Sequence, residues 1–409
     1  MNQQQRLVLL ALLAPSLLAA QTPLWDMDGH PDTRAIYAVA FNNDGSKVIS
    51  GSECDDARVR LWNSTDGAML WDGQISSSLF CIAGVQFSAS GSYFGAMEEL
   101  GTLLVYDYSS ATPVLVHTIP VGVSAAYSLA FSPDNTRVAA DGSGGTVRVY
   151  DLATGALALS IPGNNGTVYA VNYSPDGNLI AAASSDNKVR LWNASTGALV
   201  NTLAGHTAAV RSVKFSAAGD HLVSGASNGQ VKVWHRMGNM WMQHASFNSP
   251  NGLRQVDISD DNELVIVGGS TQTYLYRAMT GELLATFNVA SGSIVWSVDF
   301  KPGSYDAITG TQSGRVVYWA LQTFLSVEER EAITFSTWPN PTTDGITVQL
   351  DRAPMNGVAE VFTIDGRLVL TERLSAQTQR IALDALAAGD YVLRVRADGR
   401  FGVRSINKQ

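Results

Sequence analysis

The chain has 409 residues, of which 15% are charged, with 37 glycines and a formal net charge of −9. That length exceeds one ordinary core and favours two domains or a repeat architecture, while low charge and abundant glycine favour short strands and tight turns over long solvated helices. The acidic balance, with no basic face standing out, argues against a nucleic-acid partner, because phosphate binding needs clustered Lys and Arg.

Residues 1–20, MNQQQRLVLLALLAPSLLAA, carry one basic residue, Arg6, ahead of an apolar stretch from Leu7 to Ala20 that ends in small side chains. The stretch is too short to span a bilayer and suits a secretory signal peptide, with cleavage expected after Ala20. No transmembrane segment is expected in the mature chain. Export would place the protein in an oxidising compartment, so Cys54 and Cys81 are read either as isolated thiols or as a disulfide.

From there a pattern recurs seven times with a period near 43 residues. Each copy opens with an apolar-x-aromatic or apolar strand: VAF (39–41), VQF (85–87), LAF (129–131), VNY (171–173), VKF (213–215), VDI (256–258) and VDF (298–300). A second apolar strand and a Gly/Asp/Asn turn follow, then a third strand closing on Trp62, Tyr106, Tyr150, Trp192, Trp234, Tyr276 or Trp319. Between first and second strands, FSPDNTR (131–137) and YSPDGNL (173–179) supply turn chemistry, Pro presetting φ and Asp or Gly tolerating the corner. Period-two alternation fits strands.

These copies resemble WD repeats, and the resemblance covers residues 22–322. It implies four-stranded blades of a seven-bladed β-propeller, an all-β fold. SSDNKVRLWNASTGALVNTLAGH (184–206) is close to the family pattern, including Gly205-His206. In the family a hydrogen-bonded His, Asp, Ser/Thr and Trp set braces each blade. By resemblance His30, Asp56, Asp186, Trp192, His206 and Trp234 are the bracing candidates here. The set is mostly broken: His206 meets Asn228 at the matching turn, and Asp186 meets Asn164 where the His should be. Catalysis by these residues is therefore not expected.

An open ring would expose two sheet edges. The seventh copy has three strands, and PLWDMDG (23–29) parallels MLWDGQI (69–75), the fourth strand of the first copy. Residues 21–29 are thus expected to close the last blade, giving a propeller over 21–322.

The first strands break period two: Ile36/Val39/Phe41, Ile82/Val85/Phe87, Val168/Val171/Tyr173, Val210/Val213/Phe215 and Val295/Val298/Phe300. Such a parity break predicts a β-bulge that re-aims one side chain. The residues freed would be Tyr37, Ala83, Tyr127, Tyr169, Arg211, Arg254 and Trp296. They form either a channel-rim ring for a protein, peptide or glycan ligand, or ordinary packing between blades. Asp55 and Glu99 would give the same face an acidic sector. Cys54 and Cys81 fall in loops on a shared face, which makes a disulfide between them geometrically feasible.

Residues 323–337 read as a linker. Behind it, residues 338–409 alternate strands with Gly/Asp turns, as a small Ig-like antiparallel sandwich does. Pro339-Asn340-Pro341, the turn at Asp365-Gly366-Arg367, LAAGDYVLRV (386–395) with Gly389 and Tyr391, and Lys408 resemble, in order, the C-terminal sorting domain of type IX secretion. The resemblance implies export through the periplasm, the type IX machinery as partner, removal of the domain in transit, and a cargo released or attached to the outer surface.

No G-x-S-x-G elbow, HExxH, phosphate loop or Cys/His metal spacing occurs, and no cofactor is expected. An acidic cluster of Asp55, Asp56, Glu98 and Glu99 with His30 could hold a metal, or simply be solvated. The expected function is non-catalytic binding at or beyond the cell surface. A secreted enzyme acting on polysaccharide or peptide, and a surface assembly scaffold, are the alternatives.

Overall fold

The computed structural model describes residues 23–28, 34–54, 57–74, 80–110, 112–122, 125–142, 144–238, 240–289, 293–321, 335–354, 357–363, 368–397 and 400–409. The expected signal peptide, His30, Asp55, Asp56, Asp365 and Gly366 lie outside them. The chain divides into two units, residues 1–321 and 322–409.

The described residues of the first unit form seven four-stranded antiparallel sheets. Their first strands are Ile36–Phe41, Ile82–Phe87, Leu129–Phe131, Val168–Tyr173, Val210–Phe215, Leu253–Ile258 and Val295–Phe300. Each first strand packs against the first strand of the next sheet, and the last packs against the first, so the sheets form a closed ring about a channel. The core lies between sheets. Ala38, Ile49 and Leu61 of the first meet Ile82, Val85 and Phe94 of the second, and comparable clusters recur around the ring.

The turns follow the sequence chemistry. Asn135 and Gly177 take the positive φ of the PDN and PDG corners, at 57° and 71°. The Asp before each accepts from the backbone N–H two residues on, Thr136 in one case and Asn178 in the other.

The ring is shut by the N-terminus. Trp25–Asp28 pairs antiparallel with Arg315–Trp319, Trp25 opposite Tyr318, as the fourth strand of the seventh sheet. Trp25 is buried against Phe41, Trp62 and Tyr318 and donates its indole N–H to the Ser64 carbonyl at 3.0 Å.

First strands are inner edges, so some of their N–H groups face the neighbouring sheet without a ladder partner. Side chains one sheet back accept from them. Val39 and Phe41 donate to Ser297 and Asp299, Phe131 to Gln86, Val171 to Ser128, and Phe215 to Asn172. Val256 donates to Ser212, and Val298 and Phe300 donate to Gln255 and Asp257. Among the described residues one boundary lacks such a latch. Between the first and second sheets the matching positions carry Ala38 and Ala40, which have no acceptor. Cys54 and Cys81, joined as a disulfide, cross this same boundary.

In the second unit, Ser336–Trp338, Gly345–Gln349 and Thr378–Ala382 form a three-stranded sheet. Leu368–Leu374, Gly357–Thr363, Gly389–Ala397 and Arg400–Lys408 form a four-stranded one. Ile346, Val348, Val361, Ile381, Leu393 and Val395 fill the space between. This unit starts earlier than the sequence reading put it. Phe335 is in its core and Ser336–Trp338 is a paired strand, so the expected linker ends two or three residues sooner. Asn340 holds the last strand from both sides, donating to the Ser405 carbonyl and accepting from the Asn407 N–H, each at 2.9 Å. Tyr391 is buried and donates its hydroxyl to the Ala387 carbonyl, just before Gly389 opens its strand at φ 155°. Lys408 pairs with Gly389. Among the described residues no helix is long and apolar enough to cross a membrane.

Candidate ligand site at the channel mouth

The predicted bulges are present in six first strands. The pairing register slips at Tyr37, Ala83, Tyr169, Arg211, Arg254 and Trp296. The third copy differs. Its first strand begins only at Leu129, so Tyr127 stands ahead of the ladder. Buried Asp141 holds that segment instead, its Oδ1 accepting from the N–H groups of Tyr127 and Ser128 at 2.8 and 2.9 Å. All seven residues, with Glu99, line a cavity of about 790 Å³ that runs into the channel.

The ring is organised as two arcs. In one, Arg254 stacks on Trp296 at 4.3 Å, and Trp296 meets Tyr37 edge-to-face at 4.9 Å. In the other, Arg211 stacks on Tyr169 at 3.9 Å, and Tyr169 meets Tyr127 at 5.3 Å. Ala83 leaves the gap between arcs. The indole of Trp296 donates to Gln312 at 2.6 Å, which fixes its plane. Such contacts contribute roughly 0.5–2 kcal/mol each and, more to the point, hold large side chains in place before a ligand arrives.

The electrostatics are polarised. Arg211 and Arg254 face the channel from adjacent sheets, and burial followed by the neighbouring Arg211 charge holds Arg254 below the ordinary guanidinium range. The Arg211 Nε is buried and has no hydrogen-bond partner. Across the mouth, Glu53 accepts from the Tyr37 hydroxyl at 3.3 Å, and burial together with this carboxylate pushes Tyr37 up to about 12. Glu53 is an acidic group that the sequence reading missed. It stands two residues before Asp55 in the chain, and the pairing of the first two strands brings it to Tyr37.

Deeper in the channel, Lys214 lies 3.0 Å from Asp299 and 3.5 Å from Asp257. Burial works against its charge, but the two carboxylates outweigh it and raise Lys214 above its usual range. Burial, and Asp299 alongside, push Asp257 up to about 7 in spite of Lys214. A carboxyl titrating near neutrality can signal acid–base chemistry. Here both carboxylates accept first-strand N–H groups, from Phe41 and Phe300, so latching the ring explains them.

Of the three sheets that the sequence singled out, the first has its candidates outside the described residues, and of the other two only the fifth keeps a His–Ser–Trp part of the bracing set. Trp234 donates to Ser224 at 2.8 Å and Ser224 bonds His206 at 2.7 Å. Burial, then the Lys232 charge, lowers His206 to about 4, so the imidazole is neutral. Asp186 and Trp192 do not form this set. Asp186 pairs with Arg190 at 2.6 Å, and the Trp192 N–H has no partner. The reason is Asn164, whose short side chain donates to the Gly145 carbonyl instead of reaching Ser184 as an imidazole would.

Residues 125–339 match the family model described as IFT122 first beta-propeller, and residues 21–63 match that of the WD domain, G-beta repeat. Residues 336–409 match the secretion system C-terminal sorting domain. The WD repeat-containing protein RUP2 of Arabidopsis thaliana is 27% identical over 140 residues, which is 31% of this chain and 36% of that protein. The chain thus spans about a third of that relative's length.

Proposed function

This chain belongs to the WD-repeat β-propeller family, as a propeller followed by a type IX sorting domain, and from that premise we propose that it is an exported, non-catalytic binding module. Its ligand site is the channel mouth ringed by Tyr37, Tyr127, Tyr169, Arg211, Arg254 and Trp296. The favoured ligand is an acidic peptide segment of a partner protein at or beyond the cell surface.

One observation carries this reading. Arg211 is stacked on Tyr169, yet its Nε is buried and unpartnered at the edge of a cavity. A buried donor without an acceptor costs roughly 1–3 kcal/mol, which a carboxylate entering the mouth would recover. Arg254 doubles the positive charge there, and the aromatic walls add contact area at low entropy cost. Glu53 and Glu99 on the far side would disfavour a uniformly anionic ligand and set a direction for a mixed one.

The test is a peptide and glycan array probed with the chain from residue 21, beside an Arg211→Ala/Trp296→Ala variant shown to be folded. Capture of acidic peptides that the variant loses supports the reading. Retention by the variant moves the site elsewhere. Turnover of an arrayed peptide or glycan would instead favour an enzyme, and stable complexes indifferent to the variant would favour a scaffold.

A further inference from the structure

The fifth sheet carries a second constellation, none of which lines the channel cavity. His221 and His235 are cross-strand partners on its second and third strands. Their rings lie 4.5 Å apart, and the ring of His244, at a bulge in the outermost strand, lies 6.3 and 6.1 Å from them. Three of the chain's six histidines thus approach one another, His221 and His235 closely, while His244 has to turn inward to share an ion with them.

The atoms point at one another in an informative way. His221 Nδ1 sits 3.0 Å from Asp220 Oδ1, and His221 Nε2 sits 3.1 Å from His235 Nδ1. Asp220 is itself anchored, accepting from Ser216 at 3.2 Å and from Asn262 at 3.3 Å. A carboxylate that takes the Nδ1–H of His221 leaves the lone pair on Nε2, the same carboxylate–histidine arrangement that orients metal-binding imidazoles. At 3.1 Å the two facing nitrogens need something shared between them. Without an ion it is one proton. Two imidazole nitrogens bound side by side to one ion at 2.0–2.1 Å would be separated by about 3 Å, so the spacing suits a shared ion once the rings turn to aim both lone pairs at it. His235 then carries its proton on Nε2.

The hairpin beyond these rings has a composition of its own, HRMGNMWMQH (235–244). Met242 is the cross-strand partner of His235, Met240 that of Met237, and all three methionines are exposed. Exposed methionine wastes apolar surface, but a thioether is a soft ligand. Imidazole together with thioether selects copper among the first-row metals, and copper also stands highest in the divalent affinity order.

We propose that His221, His235 and His244, oriented by Asp220, form a copper site. Cu²⁺ is bound through the three imidazoles, and Cu⁺ is bound with help from the Met237, Met240 and Met242 thioethers. This site is independent of the channel-mouth ligand, so failure of either leaves the other standing.

The experiment is a titration of the tag-free chain with Cu²⁺ against a competing amino-acid buffer, with electron paramagnetic resonance of the loaded protein. One equivalent should bind with multiple nitrogen couplings. His235→Gln and His244→Gln should each weaken it about 10-fold or more, and Asp220→Asn about 10–100-fold, with His117→Gln as the silent control. A Met237→Leu/Met240→Leu/Met242→Leu variant should weaken Cu⁺, measured under ascorbate, about 10-fold and leave Cu²⁺ unchanged. Absence of a stoichiometric site, or full affinity in the His235→Gln/His244→Gln double variant, overturns the proposal. Zn²⁺ held more tightly than Cu²⁺ overturns the choice of metal. Undiminished Cu⁺ affinity in the methionine variant overturns the thioether role.

Discussion

Arg315 grips Asp26 through its Nε at 2.7 Å although 289 residues separate the two. The same guanidinium donates to the Asp26 carbonyl and pairs with Asp28, so one side chain fastens the first described strand onto the last strand of the propeller.

Closure by this strand makes the ring's stability depend on a short N-terminal segment. Trp25→Ala should destabilise the propeller by about 3–5 kcal/mol, the usual cost of removing a buried aromatic. Deleting residues 21–29 should cost more, because it also leaves a sheet edge open. Thermal unfolding read from tryptophan fluorescence checks this. An unchanged Tm in the deletion variant would contradict closure by this strand.

The boundary between the first and second sheets offers a separate test. With Ala38 and Ala40 where other boundaries have acceptors, the Cys54–Cys81 disulfide is the covalent substitute for a missing latch. A Cys54→Ala/Cys81→Ala variant should lose about 2–4 kcal/mol. Ser297→Ala, at the doubly latched boundary of the seventh and first sheets, should lose only about 1 kcal/mol. Equal losses, or no response of wild-type Tm to reductant, would show that this boundary needs no staple.

Asp141 sets a pH dependence with a definite sign. Burial pushes its carboxyl up to about 7 in the folded protein from an ordinary 3.8. The folded state therefore holds a proton that the unfolded chain releases between those values. This contribution is fully present below the unfolded pKa and lost as pH rises through the folded one. Asp141→Asn keeps an acceptor for the Tyr127 and Ser128 N–H groups but cannot titrate. The difference in unfolding free energy between wild type and variant should shift by roughly 2–4 kcal/mol against the wild type from pH 4 to pH 8. A difference that is flat with pH would contradict a protonated Asp141.

Much of this architecture was legible because it rests on local patterns repeated many times. The apolar-x-aromatic strands, the PDG corners and the strand-like PLWDMDG segment each carry their own turn or pairing chemistry, and the parity breaks announced the bulges at Tyr37, Ala83, Tyr169, Arg211 and Trp296, with Arg254 following by its equivalent place in the repeat. What stayed hidden depends on groups that approach only when the ring closes. Asp299 reaches the Phe41 N–H across a separation the sequence does not encode locally, while Glu53 meets Tyr37 within the first hairpin but just beyond the end of its ladder. Tyr127 shows the limit of the parity rule, since a buried carboxylate took over where the ladder stops. The histidine cluster was missed for a related reason. His221, His235 and His244 are 14 and 9 residues apart, which fits no helical metal spacing but does fit three neighbouring strands.

The sorting domain makes a cellular prediction. Removing residues 336–409 should leave the propeller folded but retained inside the outer membrane, with the disulfide still formed. Fractionation of cells expressing the shortened chain checks this. Its appearance at the cell surface or in the medium at normal levels would contradict the role of the tail as the export address.

The most direct test of the central claim is equilibrium binding of two fluorescent peptide pools to the chain from residue 21. One pool is rich in Glu and Tyr, and the other is identical with Lys in place of Glu. The channel-mouth account predicts binding of the acidic pool, weakened about 10-fold or more by Arg211→Ala/Arg254→Ala in a folded variant, with little binding of the basic pool. Equal binding of both pools, or full retention by the variant, would contradict it.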